Sequence, residues 1–159
     1  VQSVIIYMAI YLIMIVGTFG CILSMRAQGQ MLEDINELSG LGRTNPLLAI
    51  ALTALMFSFV GIPPLAGFFG KLYVFMAAIN AGLYWLAVIG LLTSVIGAFY
   101  YLRIVKLMYF DEAKESFDSP IDKELVAVIT FCSILVGLFF VYPTPMIKGA
   151  AVAAETLLQ

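Results

Sequence analysis

The sequence contains no histidine and only 8 basic and 10 acidic side chains among 159 residues. Ordinary soluble domains carry about 25% charged residues and about 45–50% apolar ones; here the shares are 11% and 63%. Without histidine, zinc and haem sites lose their commonest ligand, and a His-dependent catalytic triad has no base. A net charge of −2 supplies no basic field for nucleic acid, so no nucleic-acid partner is expected. Two cysteines, Cys21 and Cys132, each inside an apolar run, are too few for a disulfide framework and read as buried structural residues. Internal repeats and low-complexity tracts are absent. No signal peptide is visible, because the first basic residue is Arg26 and no charged stretch precedes the first apolar run. The chain starts on Val1 inside that run, as a piece of a larger or processed protein does.

What the sequence has is hydrophobic length, with a mean hydropathy of +1.06. About 20 apolar residues in helical form cross a hydrocarbon core of about 30 Å. Four spans are predicted, at 1–25, 46–79, 83–109 and 125–145. They are joined by loops at 26–45 and 110–124 and by a turn at Asn80-Ala81-Gly82, and followed by a C-terminal segment, 146–159. Pro143 and Pro145 end or kink the last span. Beyond them, Ile147, Ala150, Ala151, Ala154 and Leu158 share one face of a short amphipathic helix.

Basic residues set the orientation. Arg26, Arg43, Arg103, Lys106, Lys114 and Lys123 fall on one side and only Lys148 on the other, which places the 26–45 and 110–124 loops in the cytoplasm or matrix. The acidic residues of those loops, among them Asp34, Glu37, Glu115, Asp118 and Asp122, read as a solvated face. Tyr84-Trp85 and Tyr109-Phe110 suit the two aromatic belts. Gly17, Gly20 and Gly97 suit close helix contact.

The second span is the unusual one. As a single helix its 34 residues would be about 51 Å long, too long for one straight crossing. Its middle reads Gly61-Ile62-Pro63-Pro64-Leu65-Ala66-Gly67. Two prolines remove backbone donors and clash with the preceding turn, and the glycines loosen the rest. A broken helix is predicted, with halves at about Pro46–Val60 and Leu65–Ile79 and an unwound link at Gly61–Pro64. Unwound backbone is not tolerated facing lipid, so the link belongs inside protein or beside a hydrated cavity. Such discontinuous helices mark ion and substrate sites in transporters; a proline-kinked span in a passive anchor is the plainer alternative.

From residue 44 to residue 102 the only charge is Lys71. It lies 11 residues before Gly82, roughly 16 Å of helix rise, while a lysine side chain reaches only about 6 Å, so snorkelling is difficult. Low dielectric penalises the ammonium form, so a lysine there can exchange its proton at working pH. The alternative is a structural lysine bonded to a carbonyl. No acidic residue lies within the four spans, so an ion-pair partner or next relay must come from another polypeptide or from water. Ser58, Gly61, Pro63 and Pro64 are candidates to shape the break and its hydration. Thr53, Tyr73, Ser94, Tyr100 and Tyr101 are candidates for a polar path.

The run from Phe57 through Gly61-Ile62-Pro63-Pro64-Leu65-Ala66-Gly67-Phe68-Phe69-Gly70-Lys71 to Phe75 closely resembles the broken, lysine-bearing helix of one family. This is the subunit N (subunit 2) family of antiporter-like proteins in respiratory complex I, NADH:quinone oxidoreductase. Gly40-Leu41-Gly42-Arg43-Thr44-Asn45-Pro46 resembles the approach to that helix, Ser94 through Tyr100-Tyr101-Leu102-Arg103 the next helix, and Val141-Tyr142-Pro143 the end of the last. The likeness covers the whole chain. It implies an all-α integral membrane fold, this chain being the last four helices of a fourteen-helix unit of two inverted repeats.

Lys71 matches the family's terminal channel lysine, assigned to the half-channel through which protons leave. Related subunit M carries a glutamate there, and the lateral helix of subunit L is missing here. The resemblance further implies a multi-pass protein of an energy-coupling inner membrane, bacterial or mitochondrial. Its partners would be other membrane-arm subunits, the N-terminal part of the same subunit and lipids. No redox cofactor is expected in this chain; NADH, FMN, iron–sulfur clusters and quinone belong to the parent complex. A subunit of a multi-subunit Na⁺/H⁺ antiporter and a passive membrane module remain as rival expectations.

Overall fold

The computed structural model describes residues 1–113, 117–118 and 120–157. Lys114, Glu115 and Leu158, named above, lie outside them. Among the described residues seven helices dominate: α1 Gln2–Leu23, α2 Leu41–Thr44, α3 Pro46–Val60, α4 Ala66–Asn80, α5 Tyr84–Phe110, α6 Lys123–Leu138 and α7 Thr144–Leu157. A two-residue strand pair, β1 Arg26–Ala27 and β2 Gln30–Met31, and a 3₁₀ turn at Ile35–Leu38 fill the first loop.

The helix α1 is apolar all round, yet only one stripe of it is buried: Ile6, Ile10, Met14, Gly17 and Cys21, spaced by three and four residues. That stripe is the centre of the molecule, against which α3, α4, α6 and α7 pack. Gly17 and Gly20 let α6 approach; a Cβ on Gly17 would lie 2.8 Å from the Cβ of Cys132, and one on Gly20 3.0 Å from Ile129. Gly97 makes no such contact in this chain, meeting only the Tyr101 ring at 3.8 Å. Both cysteines are buried and unpaired. α5 lies against α3 and α4 on the outside, burying only Ala87, Leu107 and Met108. Tyr84 and Trp85 at one end and Phe110 at the other are exposed.

Expected and observed bounds differ most in the first loop and the last span. The 26–45 stretch is ordered by turns of its own and by residues far along the chain. Gln28 and Gly29 both adopt positive φ, the Asp34 carboxylate caps the 3₁₀ turn through the Asn36 N–H, and the Gly40 N–H donates to the Leu107 carbonyl. Asp118 then fastens this loop to the next, its two carboxylate oxygens accepting from the Gln28 and Gly29 N–H groups at 2.9 and 2.8 Å. Its own N–H donates to the Arg26 carbonyl. The last apolar helix ends at Leu138, short of the proline-based expectation of 145, because Pro143 and Pro145 start α7 instead. Among the described residues two helices, α1 and α5, are individually long and apolar enough to cross a membrane.

Candidate functional site

The site forms where α3 stops and α4 begins. α3 starts on Asn45, whose side chain accepts from the Leu48 N–H, with Pro46 preset in the first turn. It stops at Gly61, whose φ of +92° is costly for any residue with a Cβ. The Gly61 N–H donates back to the Ser58 and Phe57 carbonyls and the Ile62 N–H to Phe57, a Schellman-type closure. Such a closure leaves the last two carbonyls of the helix, Phe59 and Val60, without backbone donors.

Lys71 fills that gap. Its ammonium Nζ donates to the Phe59 carbonyl at 2.9 Å and to the Val60 carbonyl at 3.2 Å. A cation at this point also meets the negative end of the α3 dipole. Across the break, the first turn of α4 has its own spare donors, and Ser58 takes one: the Gly67 N–H donates to the Ser58 hydroxyl at 2.9 Å. That hydroxyl in turn donates to the Met14 thioether sulfur at 2.9 Å, and Ser58 is fully buried. Gly67 sits so close to the Ser58 backbone that a Cβ there would overlap the Ser58 carbonyl oxygen. The link between the helices holds Pro63 and Pro64, joined by a cis peptide bond and exposed.

Beside Lys71 lies a cavity of about 200 Å³, lined by α1 (Tyr7, Tyr11), α5 (Thr93, Ser94, Tyr101) and Gly67 among others. The aromatic rings form a chain along it. Tyr7 stacks on Tyr11, Tyr11 meets Phe59 edge-on at 5.7 Å, and Phe59 stacks on Tyr101 at 5.1 Å. Among the described residues no carboxylate lines it.

The structure therefore gathers Lys71, Ser58, Gly61, Ser94 and Tyr101 at one place. It separates three others: Thr53 bonds to Ala49 and Tyr109, Tyr100 is exposed against Phe99, and Tyr73 lies outside the cavity wall. Sequence reading missed Tyr7, Tyr11 and Met14, because nothing in a uniformly apolar α1 marks which face turns inward. It also missed the role of Gly67, which only the crossing of the two helix ends reveals. Among the described residues, no three His, Cys, Asp or Glu side chains gather to hold a metal ion.

A family model described as "NADH:quinone oxidoreductase/Mrp antiporter, TM" matches residues 1–97, more than half the chain. The chain belongs to this antiporter family. Within it, the chain is 54% identical over 158 residues to NADH-quinone oxidoreductase subunit N of Parvibaculum lavamentivorans, covering 99% of the chain and 33% of that relative. Subunit N of Paramagnetospirillum magneticum is 51% identical over 157 residues, 99% of the chain and 32% of that relative. Among solved structures, respiratory complex I from Thermus thermophilus with bound aureothin superposes with a TM-score of 0.73 at 29% identity, over 90% of this chain and 34% of the matched one. The chain thus spans about a third of the length of these antiporter-family relatives. The fold is that of a helical, antiporter-like membrane protein.

Proposed function

We infer that this chain is the C-terminal part of the antiporter-like subunit N of respiratory complex I. It forms the exit half of a proton path coupled to NADH:quinone oxidoreduction, with Lys71 as the protonatable relay. One observation carries the reading: the lone charge of the apolar spans sits on the two carbonyls freed by a helix break, at the edge of a hydroxyl-lined cavity. Break, ammonium and cavity are the parts a relay needs, namely a proton carrier, a polar place to rest it and room for water.

The chain crosses an energy-coupling inner membrane four times, α3 and α4 together making one crossing. At 15 residues each they are about 22 Å long, short of a hydrocarbon core of about 30 Å when taken singly; α6, about 24 Å at 16 residues, completes its own crossing with the apolar stretch 139–142. The other crossings are α1, α5 and α6, and the 26–45 and 110–124 loops lie on the cytoplasmic or matrix side. Other membrane-arm subunits, the preceding part of the same subunit and lipids surround it, while NADH, FMN, iron–sulfur clusters and quinone act elsewhere in the complex. Relatives at 51–54% identity that are complex I subunits favour this over a Na⁺/H⁺ antiporter subunit.

A second reading has an observation of its own: an ammonium bonded to two carbonyls is also what a purely structural helix cap looks like. Substituting Lys71→Arg in the full complex separates the two. Guanidinium keeps the charge and the cap but holds its proton, so a relay loses coupled proton release whereas a cap retains it. Unchanged pumping and quinone-coupled turnover in Lys71→Met sinks the relay.

A further inference from the structure

The two walls around Lys71 differ in hydrogen-bonding chemistry. The Phe59 and Val60 carbonyls only accept, so they suit an ammonium, which has three donors and no lone pair. A neutral amine has a lone pair that requires a donor, and no carbonyl supplies one. On the cavity side stand Tyr7 and Tyr11 from α1 and Tyr101 from α5, the titratable groups facing Lys71, together with Thr93 and Ser94. Among the described residues no hydrogen bond occupies the three tyrosine hydroxyls, and all three side chains line the same cavity as Lys71. The Thr93 hydroxyl already donates its hydrogen bond to the Gly90 carbonyl. Free O–H donors thus come from the tyrosines, with Ser94 beside them.

Resting on the reading of Lys71 as a relay, we propose that its side chain has two seats. The Phe59 and Val60 carbonyls hold the ammonium, and the hydroxyls of Tyr7, Tyr11 and Tyr101 hold the neutral amine. When the ammonium gives a proton to a water oxygen in the cavity, the N–H bond pair stays on nitrogen and becomes the lone pair that a tyrosine O–H then donates to. The attraction to the negative end of α3 is lost in the same step. The amine swings to the tyrosines, and the two vacated carbonyls take water. Hydration of the break and the protonation state of Lys71 are then one event. Tyr7, Tyr11 and Tyr101 are positioning residues in this scheme; the proton itself passes between Lys71 and water.

The test uses the intact complex reconstituted in vesicles, reading proton release and, separately, amide hydrogen exchange across 57–68. Lys71→Met, which cannot bond to the carbonyls, should raise exchange there by about tenfold, and Lys71→Arg should leave it as in the parent protein. Tyr7→Phe, Tyr11→Phe and Tyr101→Phe combined keep every ring contact and remove only the hydroxyls. This variant should lower proton release by about tenfold while exchange stays at or below the parent level, the arm remaining on its carbonyl seat. Unchanged exchange in Lys71→Met overturns the first seat; parental proton release in the tyrosine variant overturns the second. Full proton release in Lys71→Met would instead remove the relay reading, and the exchange measurements would still decide whether Lys71 seals the break.

Discussion

The chain interrupts two of its helices with proline pairs, and the two interruptions are unlike. Between α3 and α4 the break is closed by side chains: Lys71 on the Phe59 and Val60 carbonyls, Ser58 on the Gly67 N–H, and Met14 behind Ser58. Between α6 and α7, among the described residues, the turn is closed by backbone, the Val141 N–H donating to Leu138 and the Ile147 N–H to Pro143, the Gln2 side-chain amide reaches the Ile147 carbonyl at 3.3 Å one turn on, and Val141 and Tyr142 are exposed. An apolar pocket of about 510 Å³ borders this second break, lined by Ile10, Phe139, Tyr142 and Met146 among others. Prolines by themselves therefore make a bend. A bend becomes a candidate site when the helix ends beside it are buried and its loose backbone groups are met by a cation and a hydroxyl.

The substitution that should separate the two breaks most sharply is Lys71→Met, expected to lower coupled proton release by about a hundredfold in reconstituted complex. Next in size is Gly67→Ala. Its new methyl group collides with the Ser58 backbone and should cost about 2–3 kcal/mol, seen as a lower heat-inactivation midpoint of the membrane-embedded protein. Ser58→Ala leaves the Gly67 N–H buried without a partner and should cost about 1–2 kcal/mol by the same assay. Gly61→Ala forces a Cβ into a positive-φ position beneath the Lys71 side chain, worth about 1 kcal/mol. Val141→Ala at the second break should change stability by less than about 0.5 kcal/mol and leave proton release intact. A loss at Val141 as large as that at Ser58 would erase the distinction drawn between the two.

The features that sequence made legible were those that stand out from an apolar background. Lys71 is the one charge in a long neutral stretch, and Gly61, Pro63 and Pro64 are the residues a helix tolerates least, so the candidate site was found by contrast. The same background hides orientation. α1 and the 84–102 stretch of α5 carry no charge, so nothing distinguished inward Tyr7, Tyr11 and Tyr101 from outward Tyr100, or placed Thr53 away from Lys71. The 26–45 loop hid its order for another reason: its turns are held by Asp118, Leu107 and Tyr109, far along the chain, and a local pattern cannot foresee them.

Asp118 bears on how the chain threads the bilayer. Its carboxylate touches the Gln28 and Gly29 amides, so in the proposed threading the intervening chain departs from one membrane face and comes back to it. Any such round trip is an even number of passages. Three helices of some length, α3, α4 and α5, lie on the way, and three separate passages would strand Asp118 on the wrong face. In that threading parity is kept when α3 and α4 share one passage, the same count that the proposed single crossing of the broken helix requires.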